Sequence, residues 1–139
     1  MSRYKTQVRE VINRNALVSL ALAKGYNAFL PVYDGGVDFI LYREADGDVI
    51  MVQLKGRWTI DQKYIDREIW IGFHDRGHWY LAPHDKMVKW AEGYGFTASS
   101  SWVEGGAYSR SSLSKQMRVD LAPFRFEALE EVSEKATEE

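Results

Sequence analysis

An α/β domain with a mixed central sheet between helices is the fold this sequence predicts, and three observations carry the prediction. The segments run in the order helix, strands, helix. Two apolar runs, residues 37–42 and 49–55, flank Asp46-Gly47, a dipeptide strongly favoured in tight hairpin turns. The 139 residues, 45% hydrophobic and 14% aromatic with no break in composition, hold enough apolar material for one core.

Each element has its own signal. Residues 4–24 read as an amphipathic helix whose apolar stripe is Val8, Val11, Ile12, Ala16, Ser19 and Ala23, closed by Gly25-Tyr26. A short strand follows, then Tyr33-Asp34-Gly35-Gly36, read as turn chemistry rather than as a second metal ligand. After the hairpin, residues 61–68 are polar and read as a loop with a short helical turn. Residues 69–73 form a buried strand, His74-Asp75-Arg76-Gly77 a turn, and residues 78–82 a returning strand stopped by Pro83. A helix is expected over 86–93, with Met87, Val88 and Trp90 available to pack. Residues 93–114, rich in Gly and Ser, read as a long loop; 117–121 as a short strand or turn; 124–129 as a helix after Pro123. The expected organisation is one domain over residues 1–131 and a disordered acidic tail over 132–139.

The hairpin carries the functional signal. If Asp46 and Gly47 are the central turn residues, Ala45 pairs with Asp48 and Asp38 lies opposite Lys55. Side chains alternate along a strand, so Asp38, Gln53 and Lys55 share one face of otherwise apolar strands. A hard cation such as Mg²⁺ takes oxygen ligands, which Asp38, the Gln53 side chain and the Leu54 carbonyl could supply. The Lys55 ammonium could then orient water or neutralise charge on a phosphate. Geometry alone leaves open a plain cross-strand ion pair between Asp38 and Lys55.

The run from Lys24 to Arg57, KGYNAFLPVYDGGVDFILYREADGDVIMVQLKGR, resembles the PD-(D/E)xK nuclease superfamily, especially its restriction-endonuclease-like and Holliday-junction-resolvase-like members. Matched residue by residue, Asp38 takes the place of the motif Asp, Gln53 that of the Asp/Glu, and Lys55 that of the motif Lys. The resemblance implies a restriction-endonuclease-like mixed sheet, a Mg²⁺ or Mn²⁺ cofactor held by Asp38 and Gln53, hydrolysis of phosphodiesters in DNA, and a homodimer. Two departures accompany it. Gln53 stands where the family has a carboxylate, which lowers the negative charge available to a cation. Many relatives also bring a Glu from the first helix, whereas here the family position falls near Arg14 or Asn15 and the helix's acid is Glu10. Asn15, beside the expected apolar stripe, either reaches inward, where Arg14 is not expected to, or is a polar residue on the margin of the core face; Glu10 is expected in solvent. These departures favour an alternative, a nuclease-fold module that has lost cleavage and binds nucleic acid or a protein.

Charge is uneven along the chain. The net value is −2, but residues 127–139 hold six Glu and one Lys, leaving 17 basic and 14 acidic side chains in residues 1–126. A mildly basic body permits nucleic-acid binding without requiring it. Arg57 and Lys63, which follow the motif Lys, and Arg110, Lys115 and Arg118, which adjoin the Ser/Gly-rich loop, are the candidate phosphate contacts. Trp102 and Tyr108 in that loop either stack on a base or cover the sheet edge. His74 and His78 have zinc-like spacing but flank a turn without a third ligand, and no nucleophile-elbow motif supports a Ser-His-Asp triad. The absence of cysteine excludes disulfides and thiolate metal sites. Without an apolar N-terminal stretch or a run of membrane-spanning length, a soluble cytoplasmic protein is expected.

Overall fold

A computed structural model describes residues 3–127 of the chain. The expected domain limit at residue 131, the acidic tail and the end of the expected 124–129 helix lie outside the described residues.

The chain opens with helix α1 (Arg3–Ala23), which Gly25 closes in the left-handed region at φ 89°, donating its N–H to the Leu22 carbonyl. Strands β1 (Tyr26–Phe29), β2 (Phe39–Arg43) and β3 (Asp48–Leu54) form an antiparallel meander. Strand β4 (Trp58–Asp61) leaves the sheet and leads through a 3₁₀ turn (Gln62–Tyr64) to β5 (Ile69–Asp75), which returns parallel to β3. Strand β6 (His78–Pro83) completes a five-stranded mixed sheet in the order β1-β2-β3-β5-β6. Helix α2 (His84–Tyr94), a 3₁₀ turn (Phe96–Ala98), α3 (Ser100–Val103), β7 (Ala107–Arg110) and α4 (Lys115–Leu121) follow. Strand β7 pairs with β4 as a separate two-stranded ribbon.

This is the expected mixed sheet flanked by helices, with an apolar layer on each face. One layer joins Phe39, Leu41, Ile50 and Val52 to Leu17 and Ala21 of α1; the other joins Ile69, Ile71 and Phe73 to Met87, Trp58, Trp102 and Met117. The alternation that splits β3 and β5 between the layers is the two-residue period of a strand. Among the described residues, no helix is long and apolar enough to cross a membrane.

Four local expectations are corrected. Residues 93–114 are not one loop: they carry α3 and β7, and Trp102 and Tyr108 pack inward, Trp102 only 8% exposed and Tyr108 stacked on Phe96 at 4.6 Å. Residues 115–121 form a helix, capped by Ser114 accepting from the Met117 N–H, rather than a strand or turn. Residues 122–124 form a 3₁₀ turn, and Arg125 bridges to Tyr80 where a helix was expected. Finally, α1 does not dock by the stripe its Val and Ile residues trace. Leu17 and Ala21 are buried against the sheet, while Val8, Val11 and Ile12 are 39, 43 and 59% exposed. Gly72 decides this contact: a Cβ there would lie 2.8 Å from Leu17 Cδ2, so the bare backbone leaves a notch that seats Leu17.

The hairpin register also differs from expectation. Residues 44–47 all belong to the turn, Gly47 at φ 74° donates its N–H to the Arg43 carbonyl, and Arg43 binds Asp46 across it at 2.7 Å. Arg43 therefore pairs with Asp48 and Phe39 with Val52, which sets Asp38 level with Gln53 instead of Lys55. Lengthening the turn by two residues shifts the register by two, an even step, so the residues that share a face are unchanged.

Candidate metal centre and its cleft

Asp38, Gln53 and Lys55 come together at the end of the hairpin, in a cleft of about 650 Å³ between the sheet and α1. The backbone fixes Asp38 twice. Its N–H donates to the Val52 carbonyl at 2.8 Å, and its Oδ2 accepts the Leu54 N–H at 2.7 Å. Lys55 is tied to the neighbouring strand by its N–H, which donates to the Gly72 carbonyl at 2.9 Å. Its ammonium lies 5.2 Å from the centre of the buried Tyr64 ring, a cation–π contact shared with Lys63 on that ring at 5.3 Å. Gln53 Oε1 is buried and has no hydrogen-bond partner among the described residues. Such an acceptor is costly to leave unsatisfied, and its residue lines the same cleft as Asp38.

Asp34 also lines this cleft. It makes the turn expected of it, its Oδ1 accepting the N–H groups of Gly36 at 2.9 Å and Val37 at 3.1 Å. Its charge nevertheless reaches Asp38. Burial pushes the Asp38 carboxyl above its ordinary range and the Asp34 carboxylate adds to the rise, while the Leu54 N–H and the Lys55 ammonium oppose it. A carboxyl whose ionisation is opposed in this way is relieved by a cation. The loop carrying Asp34 is held from the far side by Arg67, whose guanidinium donates to the Gly35 carbonyl at 2.9 Å. Arg67 sits between Asp66 and Glu68, both in the left-handed region at φ 63° and 55°, and the Asp66 N–H donates to the Asp85 carboxylate at 3.1 Å. Non-glycine residues in that region mark backbone held against its preference.

Helix α1 forms the other wall with Thr6, Arg9, Glu10, Asn13 and Arg14. Of the two readings of Asn15 the structure supports the outward one, since Asn15 is exposed and outside the cleft; Glu10 is exposed, as expected, and stands with Arg14 on the cleft's helix wall. The signal that could have found them was the spacing of Leu17 and Ala21, which continues the row of Glu10, Asn13 and Arg14 at steps of three and four.

The expected phosphate contacts are dispersed. Arg57 is exposed and its Nε donates to Ser109 Oγ at 3.1 Å, joining β4 to β7 beside the cleft. Lys63 is exposed and lies 3.9 Å from Asp61. Arg110 lies over the Phe96 ring at 5.1 Å and donates to the Ser112 carbonyl, while Lys115 and Arg118 belong to α4. None of these five lines the cleft.

Oxygen donors suit Mg²⁺ or Mn²⁺, and the orphaned Gln53 Oε1 with the Asp38 carboxyl, whose ionisation burial and Asp34 oppose, fits such an ion. The fit is that of a weakly charged site: among the described residues no three His, Asp or Glu side chains cluster closely enough to hold a metal by themselves. No protein-family model and no curated protein sequence matches the chain. Among solved structures it is similar to the bacterial homing endonuclease I-Ssp6803I, with a TM-score of 0.53 over 95% of this chain and 94% of that one, at 17% identity. The chain shares that enzyme's fold. At this identity the likeness speaks for the architecture, and the chemistry must be argued from the cleft itself.

Proposed function

We propose that the chain is a Mg²⁺- or Mn²⁺-dependent nuclease of the PD-(D/E)xK type, hydrolysing phosphodiesters in DNA at the cleft between α1 and the hairpin. The observation that carries this reading is the buried, unpartnered Gln53 Oε1 in the cleft with Asp38. The endonuclease fold of the structural neighbour supports it. Asp38 and the Gln53 side-chain oxygen would hold the ion, with the Leu54 carbonyl as a third donor. When bound, a divalent cation supplies Lewis-acid stabilisation of the phosphate and makes nearby water more acidic. Lys55, steadied by the Tyr64 ring, presents its ammonium to the charge that builds on the phosphate oxygens. Arg57, next in sequence to the cleft-lining Gly56, would meet a flanking phosphate. A homodimer would supply the two centres that cutting both strands of a duplex requires.

A second reading is favoured by the lack of a three-acid cluster among the described residues: a binding module on the same fold that no longer cleaves. Gln53→Glu separates the two. Restoring the carboxylate should tighten Mn²⁺ binding by titration and raise the rate of DNA cleavage in a weak enzyme. Unchanged Mn²⁺ affinity together with no cleavage by either protein would favour the binding module.

A further inference from the structure

From the two walls of the cleft we infer that the first turns of α1 form a clamp for the sugar-phosphate backbone of a nucleic-acid strand, with Arg9 and Arg14 as its cations. The inference rests on the nuclease reading of the cleft and extends it to how the strand is held. It starts from a change of character along one helix face. At 100° per residue, Thr6, Arg9, Glu10, Asn13 and Arg14 occupy a continuous strip, and Leu17 and Ala21 continue it. Beyond Arg14 this strip is buried in the core; up to Arg14 it lines open space. A face that merely met solvent would not need to stand opposite a second wall.

The walls differ in net charge. Asp34 and Asp38 outnumber Lys55 on the sheet side, whereas Arg9 and Arg14 outnumber Glu10 on the helix side. Neither guanidinium has an ion-pair or side-chain hydrogen-bond partner among the described residues, although Glu10 stands four residues before Arg14, a spacing that commonly pairs on helices. Arginine presents a planar fork of donors that matches a phosphate, and here two such forks are left open across from the cation donors. A ligand that satisfies both walls is a polyanion bringing a divalent cation: the cation sits against the sheet and phosphates sit against the helix. A volume of about 650 Å³ admits a nucleotide-sized unit with its phosphates. Such contacts position the strand and carry no base sequence. Arg9, Asn13 and Arg14 are therefore positioning residues for this reaction.

The test is binding of fluorescein-labelled duplex and single-stranded DNA in EDTA across a salt series, which removes the metal centre from the measurement. Wild type is compared with Arg9→Ala/Arg14→Ala and with Lys86→Ala/Lys89→Ala, which takes the same charge from the exposed face of α2. Alanine is the best helix former, so α1 is retained, and circular dichroism checks it. The expected result is an affinity loss of roughly ten-fold or more for the α1 pair, with the duplex salt slope reduced by roughly 1.8, or roughly 0.9 for each phosphate no longer neutralised, and no such change for the α2 pair. Equal affinity and slope for wild type and the α1 pair would overturn the clamp. If wild type then still cut DNA with Mg²⁺, the nuclease reading would stand without it. If wild type neither bound nor cut nucleic acid at any salt, both would fall.

Discussion

The Leu54 N–H donates to Asp38 Oδ2 at 2.7 Å, so the acid at the head of β2 is held by the main chain of the strand that carries Gln53. A side chain anchored to backbone rather than to another flexible side chain keeps its position within the narrow tolerance that catalysis demands. Despite this anchor the carboxyl is costly to ionise, because it is half-buried and near Asp34.

Asp38→Asn should therefore stabilise the metal-free protein while abolishing cleavage. Asparagine keeps an oxygen for the Leu54 N–H and removes a charge that burial and Asp34 disfavour. At neutral pH in EDTA the expected change in Tm is a rise on the order of a few degrees. A fall in Tm would mean that the ionised carboxylate contributes to stability and that the cleft is not strained by its acids.

Buried His84 gives a pH dependence of opposite origin. Its Nε2 accepts the Asp61 N–H at 3.0 Å, its Nδ1 lies 3.5 Å from Asp85 Oδ1, its ring meets Tyr64 edge-on, and Lys55 is close enough to repel its charged form. Burial holds its pKa below the ordinary 6.5, with Asp85 and Asp61 opposing. Below that value the unfolded chain takes up a proton that the folded chain refuses, so stability is full above about pH 6.5 and declines as pH falls through the folded pKa. Urea midpoints at pH 7.5 and 5.5 should fall more for wild type than for His84→Gln. Parallel falls would locate the acid sensitivity elsewhere.

The fold class and the shared face of Asp38, Gln53 and Lys55 were legible in the sequence because both depend on parity. The true turn, residues 44–47, is two residues longer than Asp46-Gly47 implies, and an even slip moves partners without turning a side chain over. The helix wall was not legible, because α1 carries two apolar stripes. Val8, Val11 and Ile12 trace the more conspicuous one, but the notch over Gly72 selects Leu17, and that choice turns Glu10 and Arg14 into the cleft and Asn15 away from it. Notches of this kind are made by residues far apart in sequence. The β4–β7 ribbon was missed for a related reason: Trp58-Thr59-Ile60-Asp61 alternates as a strand should, but its partner is four residues among Ser and Gly, nearly fifty positions away.

The Leu17–Gly72 contact predicts non-additive energetics. Leu17→Ala alone should cost about 2–5 kcal/mol through the cavity it leaves. Gly72→Ala alone should cost about 1–3 kcal/mol, since its methyl meets Leu17 at 2.8 Å and Leu54 at 3.1 Å. In the double variant the new methyl occupies the space Leu17 vacates, so the loss should be smaller than the sum. Denaturant unfolding of all four proteins measures the coupling, and strict additivity would mean that α1 does not dock over Gly72.

The most direct measurement is cleavage of labelled linear, branched and single-stranded DNA with Mg²⁺, Mn²⁺ or EDTA, using wild type, Asp38→Ala and Lys55→Ala of matched purity. Cutting that requires the metal and disappears in both variants is the predicted result. Cutting that persists in either variant, or in EDTA, would contradict a metal centre at Asp38, Gln53 and Lys55; no cutting by wild type under any condition would contradict the enzyme itself.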